Sequence, residues 1–230
     1  MIPKEIHQIF FSFNGSKLED FPLFKDSIKS MKEKNPDFAH RLWSEMDIEH
    51  LIKRYHPKHL DFYYNLDYDI MRHDFARMVL LYEFGGFYCD LDNVALKSFL
   101  PLTEHKIVLS TIKHIKPKHR EFVINDFMGF KPKHPLPLYY LNQCQENYLQ
   151  KKSIDVYREW KVRFVTQTTG PKFFSRLVKK YYPNYTPMQL AYMDTKDTLQ
   201  KYWKDDNLEL NKEDYYFEEK FAGSWIKSMI

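Results

Sequence analysis

The residues able to do chemistry crowd into one window, positions 71–93, which reads MRHDFARMVLLYEFGGFYCDLDN. Asp90 and Asp92 are separated by a single residue, so on an extended segment both side chains leave the backbone on the same side. Two carboxylates aimed one way give oxygen ligands to a hard divalent cation and leave its other positions to water and phosphate oxygens. Such a set suits a metal that bridges protein and diphosphate. Asp74 and Arg77 lie three residues apart, hence one turn apart on one helix face. They could grip a polar ligand, or simply form an ion pair with each other.

The elements that must position these groups follow from the pattern around them. Met71, Phe75, Met78 and Tyr82 recur every three or four residues, which predicts a helix over 67–84, ended by Gly85-Gly86. Phe87-Tyr88-Cys89 is then a very short strand with Asp90 and Asp92 at its carboxyl end, where open α/β sheets form their ligand crevice. Upstream, 6–11 reads as a buried first strand, 20–34 as a helix carrying Phe24, Ile28 and Met31 inward, and 38–43 as a second strand. Asp47 is expected to cap a helix running to Arg54. Further strands are expected at 106–111 and 122–127, and helices near 138–149 and 171–181. This alternation predicts an α/β fold with a mostly parallel central sheet flanked by helices. With no internal repeat and no low-complexity linker, 1–230 reads as a single domain.

Composition narrows the function classes. A chain of 230 residues buries a sizeable core without disulfides or a structural metal. The formal charge of +4 is too small to point to nucleic acid, so no nucleic-acid partner is expected. With only 6 Gly, each is expected where the backbone requires it, and 17 Tyr with 19 Phe suit a rigid core and stacking surfaces. Cys89 and Cys144 cannot build a disulfide framework or a four-ligand zinc site, and are expected to be free thiols. His114 and His119 have finger-like spacing but no cysteine pair to partner them, and the basic run 113–120 reads as a solvated loop. No apolar run approaches the ~18 residues that span a bilayer, and the first residues do not read as a signal peptide. The expectation is a soluble, cytoplasmic protein without a transmembrane segment, with peripheral membrane attachment left open.

The window resembles the glycosyltransferases that share a D-x-x-R … GG-x-Y-x-D-x-D block: family 32, with its yeast-type initiating mannosyltransferases and bacterial capsular sugar transferases, and the glucosyltransferase domain of the large clostridial toxins. The matching residues are Asp74, Arg77, Gly85, Gly86, Tyr88, Asp90 and Asp92. The opening IPKEIHQIF resembles the first strand of that family, and Asn125-Asp126-Phe127-Met128, Thr169-Gly170-Pro171 and Gly223-Ser224-Trp225 fall in the family's order. The resemblance implies a GT-A fold and a retaining enzyme dependent on Mn²⁺ or Mg²⁺. It implies transfer of a hexose from a nucleotide-diphosphate sugar, a UDP-sugar ahead of GDP-mannose, to a glycan, glycolipid or protein acceptor.

Carried over residue by residue, the resemblance makes Asp74, Arg77, Asp90 and Asp92 the catalytic set. Asp92 would ligate the metal, Asp90 would touch the ribose or sugar and reach the metal, and Asp74 and Arg77 would hold the sugar's hydroxyls. Donor contacts are also implied for His7, Gln8, Phe10, Asn125 and Gly170, with Phe10 where the family's Trp stacks on the base. Ser224 and Trp225 match an element that closes over the diphosphate, and Ser224 is a further candidate ligand. One departure stands out. Many relatives carry a metal-binding His shortly before Gly-Ser-Trp, whereas this chain reads Glu218-Glu219-Lys220-Phe221, which makes Glu219 the candidate third ligand.

Two other readings compete. The run 87–94 also resembles the strand of haloacid dehalogenase-type phosphatases, with Asp90 as nucleophile and Asp92 as acid. Asp205-Asp206, however, lacks the Gly-rich strand end that family places before its later acidic pair. A non-catalytic sugar-nucleotide or glycan-binding module is the other alternative, and turnover of a sugar nucleotide separates it from an enzyme.

Overall fold

The computed structural model describes residues 1–12, 15–112, 122–152, 161–185, 188, 191–193 and 215–220. Strand β1 (Glu5–Ile9) is enclosed on both faces, which places it inside a sheet rather than at an edge. It pairs in parallel with β2 (Ala39–Trp43) on one side and β3 (Gly86–Cys89) on the other. The sheet continues through β6 (Phe122–Phe130) to β5 (Ile107–Ile112), in the order β2-β1-β3-β6-β5. Parallel pairing holds through β2, β1 and β3, while β6 joins β3 and β5 antiparallel. The stretch between β5 and β6 is too short for a crossover helix, so the two strands must meet as neighbours running in opposite directions.

Helix α1 (Pro22–Lys34) starts with proline, whose missing N–H costs nothing there, and stops at Asn35, whose side chain bonds back to the Met31 carbonyl at 3.0 Å. In α2 (Glu45–Tyr55) the cap expected at Asp47 comes three residues earlier. Ser44 is the cap and Asp47 its reciprocal partner, with Asp47 N–H donating to Ser44 Oγ at 3.2 Å and Ser44 N–H to Asp47 Oδ2 at 2.9 Å. A short α3 (Leu60–Tyr64) leads into α4 (Asp69–Glu83), and α5 (Pro135–Lys152), α6 (Lys161–Thr168) and α7 (Pro171–Tyr181) pack beside it. The short α3 and α6 carry too few periodic positions to stand out in the sequence.

Two apolar cores lie on the two faces of the sheet. One joins Phe75 and Met78 of α4 to Tyr140 of α5 and Phe174 of α7; the other joins Ile6, Met31, Phe87, Phe99, Phe127 and Phe217. Each fully buried ring contributes about 1.5–3 kcal/mol relative to exposure. Helix α4 is buried nearly all round, so Asp74 and Arg77 go inside with its apolar residues. A second, small sheet was not foreseen: β4 (Asn93–Ala95) pairs antiparallel with β8 (Phe217–Glu219), which pairs in parallel with β7 (Ala191–Met193).

The reversal between α4 and β3 depends on two glycines. Gly85 and Gly86 have φ of +70° and +81°, and a Cβ at either would come within 2.6 Å of backbone, Pro132 N in one case and Glu5 O in the other. A second irregularity sits opposite. The β5–β6 register jumps from Leu109↔Met128 to Thr111↔Val123, leaving Ser110 alone against 124–127. This bulge bends β6 and offers Asn125 and Asp126 to the end of β3.

Candidate active site

The chain turns at Asp90–Asp92 immediately after β3, and backbone contacts from other strands clamp that turn. Asp90 N–H donates to the Asp126 carbonyl at 2.8 Å, and Asn93 Nδ2 donates to the same carbonyl at 3.1 Å. Gln8 of β1 donates to the Asp90 carbonyl at 3.3 Å, and Lys220, just past β8, donates its N–H to the Asp92 carbonyl at 3.1 Å. Strands from both sheets thus fix where the two carboxylates begin.

Beneath Asp90 lies a buried polar network. Tyr88 OH donates to Asp90 Oδ1 at 2.6 Å, and Arg77 Nη2 lies 3.5 Å from that oxygen and 3.3 Å from Asp74 Oδ1. The Arg77 guanidinium also donates to the Asn125 carbonyl and lies 4.8 Å from the centre of the Tyr88 ring. Asp74 accepts from Asn125 Nδ2 at 2.9 Å and from Thr169 Oγ1 at 2.8 Å, so both its oxygens are engaged. The Asp74 and Arg77 side chains are 3% exposed, against 30% for Asp90. Burial pushes the Asp74 carboxyl up to about 6, with Arg77 and Thr169 opposing the shift. Burial also raises Asp90, again against Arg77 and the Tyr88 hydrogen bond. Burial opposes the Arg77 charge, but Asp90 and Asp74 more than offset it and hold the guanidinium protonated.

On the other side of the turn the balance is acidic. Burial pushes Asp126 up to about 6, and Glu219 of β8 is raised further by burial and then by Asp92, Asp126 and Asp90. The interaction between the Glu219 and Asp126 side chains favours the protonated form of Glu219 and the ionised form of Asp126. Asp126 Oδ1 has no hydrogen-bond partner among the described residues. Among the described residues, no three His, Cys, Asp or Glu side chains stand together in a group that could hold a metal ion. The donors nearby are carboxylates that feel one another electrostatically, and carboxylate oxygen is the donor type that suits a hard divalent cation.

Several expected donor contacts are placed differently. His7 is wholly enclosed: its Nε2 bonds to the Gly85 carbonyl at 2.9 Å and its Nδ1 accepts from Trp43 Nε1 at 3.2 Å, so it braces the glycine turn instead of meeting a ligand. Its burial lowers it to about 4, which keeps the ring neutral. Gln8 is equally enclosed and bonds Ser27, His40 and the Asp90 carbonyl. Both lie on a central strand covered on its two faces, which is why neither reaches the crevice. Asp74 and Arg77 are brought to Asp90 but lie under the floor, their polar atoms bound to protein. Asn125 and Gly170 are buried beside them; a Cβ on Gly170 would stand 3.5 Å from Asp74 Oδ2. Phe10 keeps partial exposure at the end of β1 and packs with Phe21 and Phe24 at centroid distances of 6.0 and 6.4 Å. Ser224 and Trp225 lie outside the described residues, as do His114, His119 and Asp205-Asp206.

Tyr88, Asp126 and Thr169 were not singled out as site residues from the sequence. Tyr88 had a signal, since it stands two residues before Asp90 and so shares its side. Asp126 follows Asn125, but only the bulge shows that both side chains are used. Nothing in spacing marks Thr169, which is 95 positions from Asp74.

With this geometry in view, comparison with known proteins defines the class. Residues 22–109 match the family described as "Glycosyltransferase sugar-binding region containing DXD motif", and that stretch contains Asp74, Arg77, Asp90 and Asp92. That stretch is similar to the family's DXD region, and the fold is of the GT-A type. It shares its fold with the PaToxG glycosyltransferase at a TM-score of 0.58, with 18% identity over 79% of this chain and 70% of that one. In particular, the chain is 32% identical over 184 residues to a mannosyl phosphorylinositol ceramide synthase of Saccharomyces cerevisiae, covering 79% of this chain and 43% of the yeast protein. It is 30% identical over 138 residues to inositol phosphoceramide mannosyltransferase 3 of Schizosaccharomyces pombe, covering 60% of this chain and 35% of that protein. The chain therefore spans less than half the length of these curated relatives.

Proposed function

We propose that this chain is a metal-dependent glycosyltransferase that moves a hexose from a nucleotide-diphosphate sugar to a lipid-linked acceptor, with retention of anomeric configuration. The observation that carries the reading is the Asp90–Asp92 turn, with Asp90 oriented by Tyr88 and Arg77 on one side and Asp92 facing the Glu219 strand on the other. The names of the relatives favour mannose as the sugar and a phosphorylinositol-bearing sphingolipid as the acceptor class, ahead of the UDP-hexose expected from the sequence. No described helix is long and apolar enough to cross a membrane.

In this reading Asp90 and Asp92 would hold Mn²⁺ or Mg²⁺, with Glu219 drawn in from β8 as a further ligand, and the cation would stabilise the negative charge on the leaving diphosphate. Phe10, backed by Phe21 and Phe24, offers the base an aromatic face. The buried Asp74–Arg77–Asn125 network beneath the site keeps Asp90 in one orientation under the donor sugar. The test is a panel of UDP- and GDP-sugars incubated with protein, Mn²⁺ and a phosphorylinositol-sphingolipid in vesicles, with the product anomer determined. Metal-dependent release of nucleoside diphosphate from one donor, GDP-mannose first, is expected. Tight nucleotide binding with no turnover of any donor would favour a binding module instead.

A further inference from the structure

Residues 161–181 form a helix–corner–helix unit whose corner, Thr168-Thr169-Gly170, presses against the middle of α4. The corner is held from behind: Tyr140 OH donates to the Thr169 carbonyl, and Asn147 Nδ2 donates to the carbonyls of Gln167 and Thr168 at 2.9 and 2.8 Å. Thr169 is fully buried, and its hydroxyl has one ionic partner, Asp74 Oδ2 at 2.8 Å. Gly170 permits the tight corner, since a Cβ there would meet Thr166 Cα at 2.9 Å and the Val165 carbonyl at 3.1 Å. Asp74 Oδ1 is shared between Asn125 and Arg77, and Arg77 in turn faces Asp90.

The order of these contacts has a consequence for Asp90. Arg77 lies between two carboxylates, Asp74 at 3.3 Å and Asp90 at 3.5 Å, and its guanidinium divides itself according to where Asp74 sits. A carboxylate pinned at both oxygens cannot rotate to take more of the guanidinium. One that has lost its Oδ2 donor is left under-bonded in a buried site and turns toward the strongest donor available, which is Arg77.

We propose that Thr169 is a positioning residue for the DXD carboxylate: through Asp74 and Arg77 it fixes the orientation of Asp90, although it touches neither donor nor metal. The inference rests on the glycosyltransferase reading above. The hydroxyl carries the role, and the methyl group does not.

That distinction makes the test sharp, because valine copies the shape of threonine without its hydroxyl while serine keeps the hydroxyl without the methyl. T169V and T169S are compared with wild type for donor turnover, for nucleoside diphosphate binding by calorimetry, and for Mn²⁺ affinity from the paramagnetic signal of the free ion. In T169V, kcat per folded molecule and Mn²⁺ affinity are each expected to fall by about tenfold or more, while GDP affinity measured without metal changes little. T169S is expected to stay within about threefold of wild type in both. A merely packing role predicts the reverse, with valine benign and serine impaired, and that result overturns the proposal. So does T169V with wild-type kcat and Mn²⁺ affinity while wild type is active. If wild type itself turns over no nucleotide sugar, the function assigned above has failed, and the role of Thr169 falls with it.

Discussion

The two sides of the Asp90–Asp92 turn are built in opposite ways. On the α4 side, Asp74, Arg77, Asn125, Thr169 and Tyr88 form a closed network in which a buried arginine stands between two carboxylates. On the side of the small sheet, Asp126 and Glu219 interact with each other and Glu219 feels the charge of Asp92, with burial and these neighbours favouring the protonated form of Glu219. A buried charge with its counter-charge and hydrogen bonds in place stays put; buried carboxylates crowded together raise one another's affinity for any cation that can replace the proton. The first side is suited to holding geometry, the second to binding a metal. One turn serves both because its backbone is fixed by strands from each sheet.

If this division is right, removing charge from the two sides should have different consequences. The largest effect is expected for Asp92→Ala. Asp92 is half-buried and supplies an oxygen on the acidic side, so turnover should fall by about 10³-fold or more while the melting temperature scarcely moves. Turnover of nucleotide sugar by a well-folded Asp92→Ala at the wild-type rate would remove the metal from the acidic side altogether.

Next in size is Arg77→Lys. The substitution keeps the charge but loses the fork that reaches His73 O, Asn125 O, Asp74 and Asp90 together. A loss of about 10²-fold in kcat is expected, accompanied, unlike Asp92→Ala, by a clear drop in melting temperature. A lysine variant with normal kcat and only lower stability would reduce the closed network to a structural ion pair.

The closed side also carries a pH signature. Asp74 is pushed from an ordinary 3.8 up to about 6, so its neutral form is favoured in the folded state. Its contribution to stability is therefore fully present below pH ~3.8 and is lost as pH rises through ~6. Asp74→Asn removes that loss. The stability difference, variant minus wild type, should grow more positive between pH 4 and 7, by on the order of 2–3 kcal/mol. Denaturant unfolding at a series of pH values reads it, and a difference that is flat over this range would contradict the environment described for Asp74.

How far this contrast could be read in advance differs between the sides. The motif itself was legible in part: periodicity gave α4, the glycines gave the reversal, and Asp74, Arg77 and Asp90 did meet. The strand ends at Cys89, however, and Asp90–Asp92 is a turn, so the two aspartates do not share one side of an extended segment as their spacing suggested. The fate of α4's polar residues was not legible, because periodicity marks an apolar face and says nothing of a helix enclosed on all sides, which draws Asp74 and Arg77 inward. His7 and Gln8 were misplaced for a related reason, since a strand covered on both faces looks the same in sequence whether its polar residues brace a turn or bind a ligand. The acidic side depends on pairing over long separations: β8 reaches β4 across more than a hundred residues, and the β6 bulge is visible only in its register with β5. Such contacts leave no local periodicity to read.

The smallest expected effect is the most discriminating one for the acidic side, and it concerns Glu219. Burial and the neighbouring carboxylates favour its protonated form beside Asp126, and a glutamine amide at the same place can offer Asp126 an equivalent donor. Glu219→Gln should therefore preserve the β8–β4 pairing and the melting temperature of the metal-free protein. What it removes is the ability to shed a proton and become an anionic oxygen ligand, so the apparent Mn²⁺ affinity should weaken by about tenfold, with much of the turnover recovered at saturating metal. Asp126→Asn gives the complementary arm, because it leaves Glu219 ionisable while removing a carboxylate that favours its protonated form. If Glu219→Gln binds Mn²⁺ as tightly as wild type while Asp92→Ala does not bind it, then β8 serves only to pin the turn through Lys220 N–H, and the acidic side reduces to the DXD pair alone.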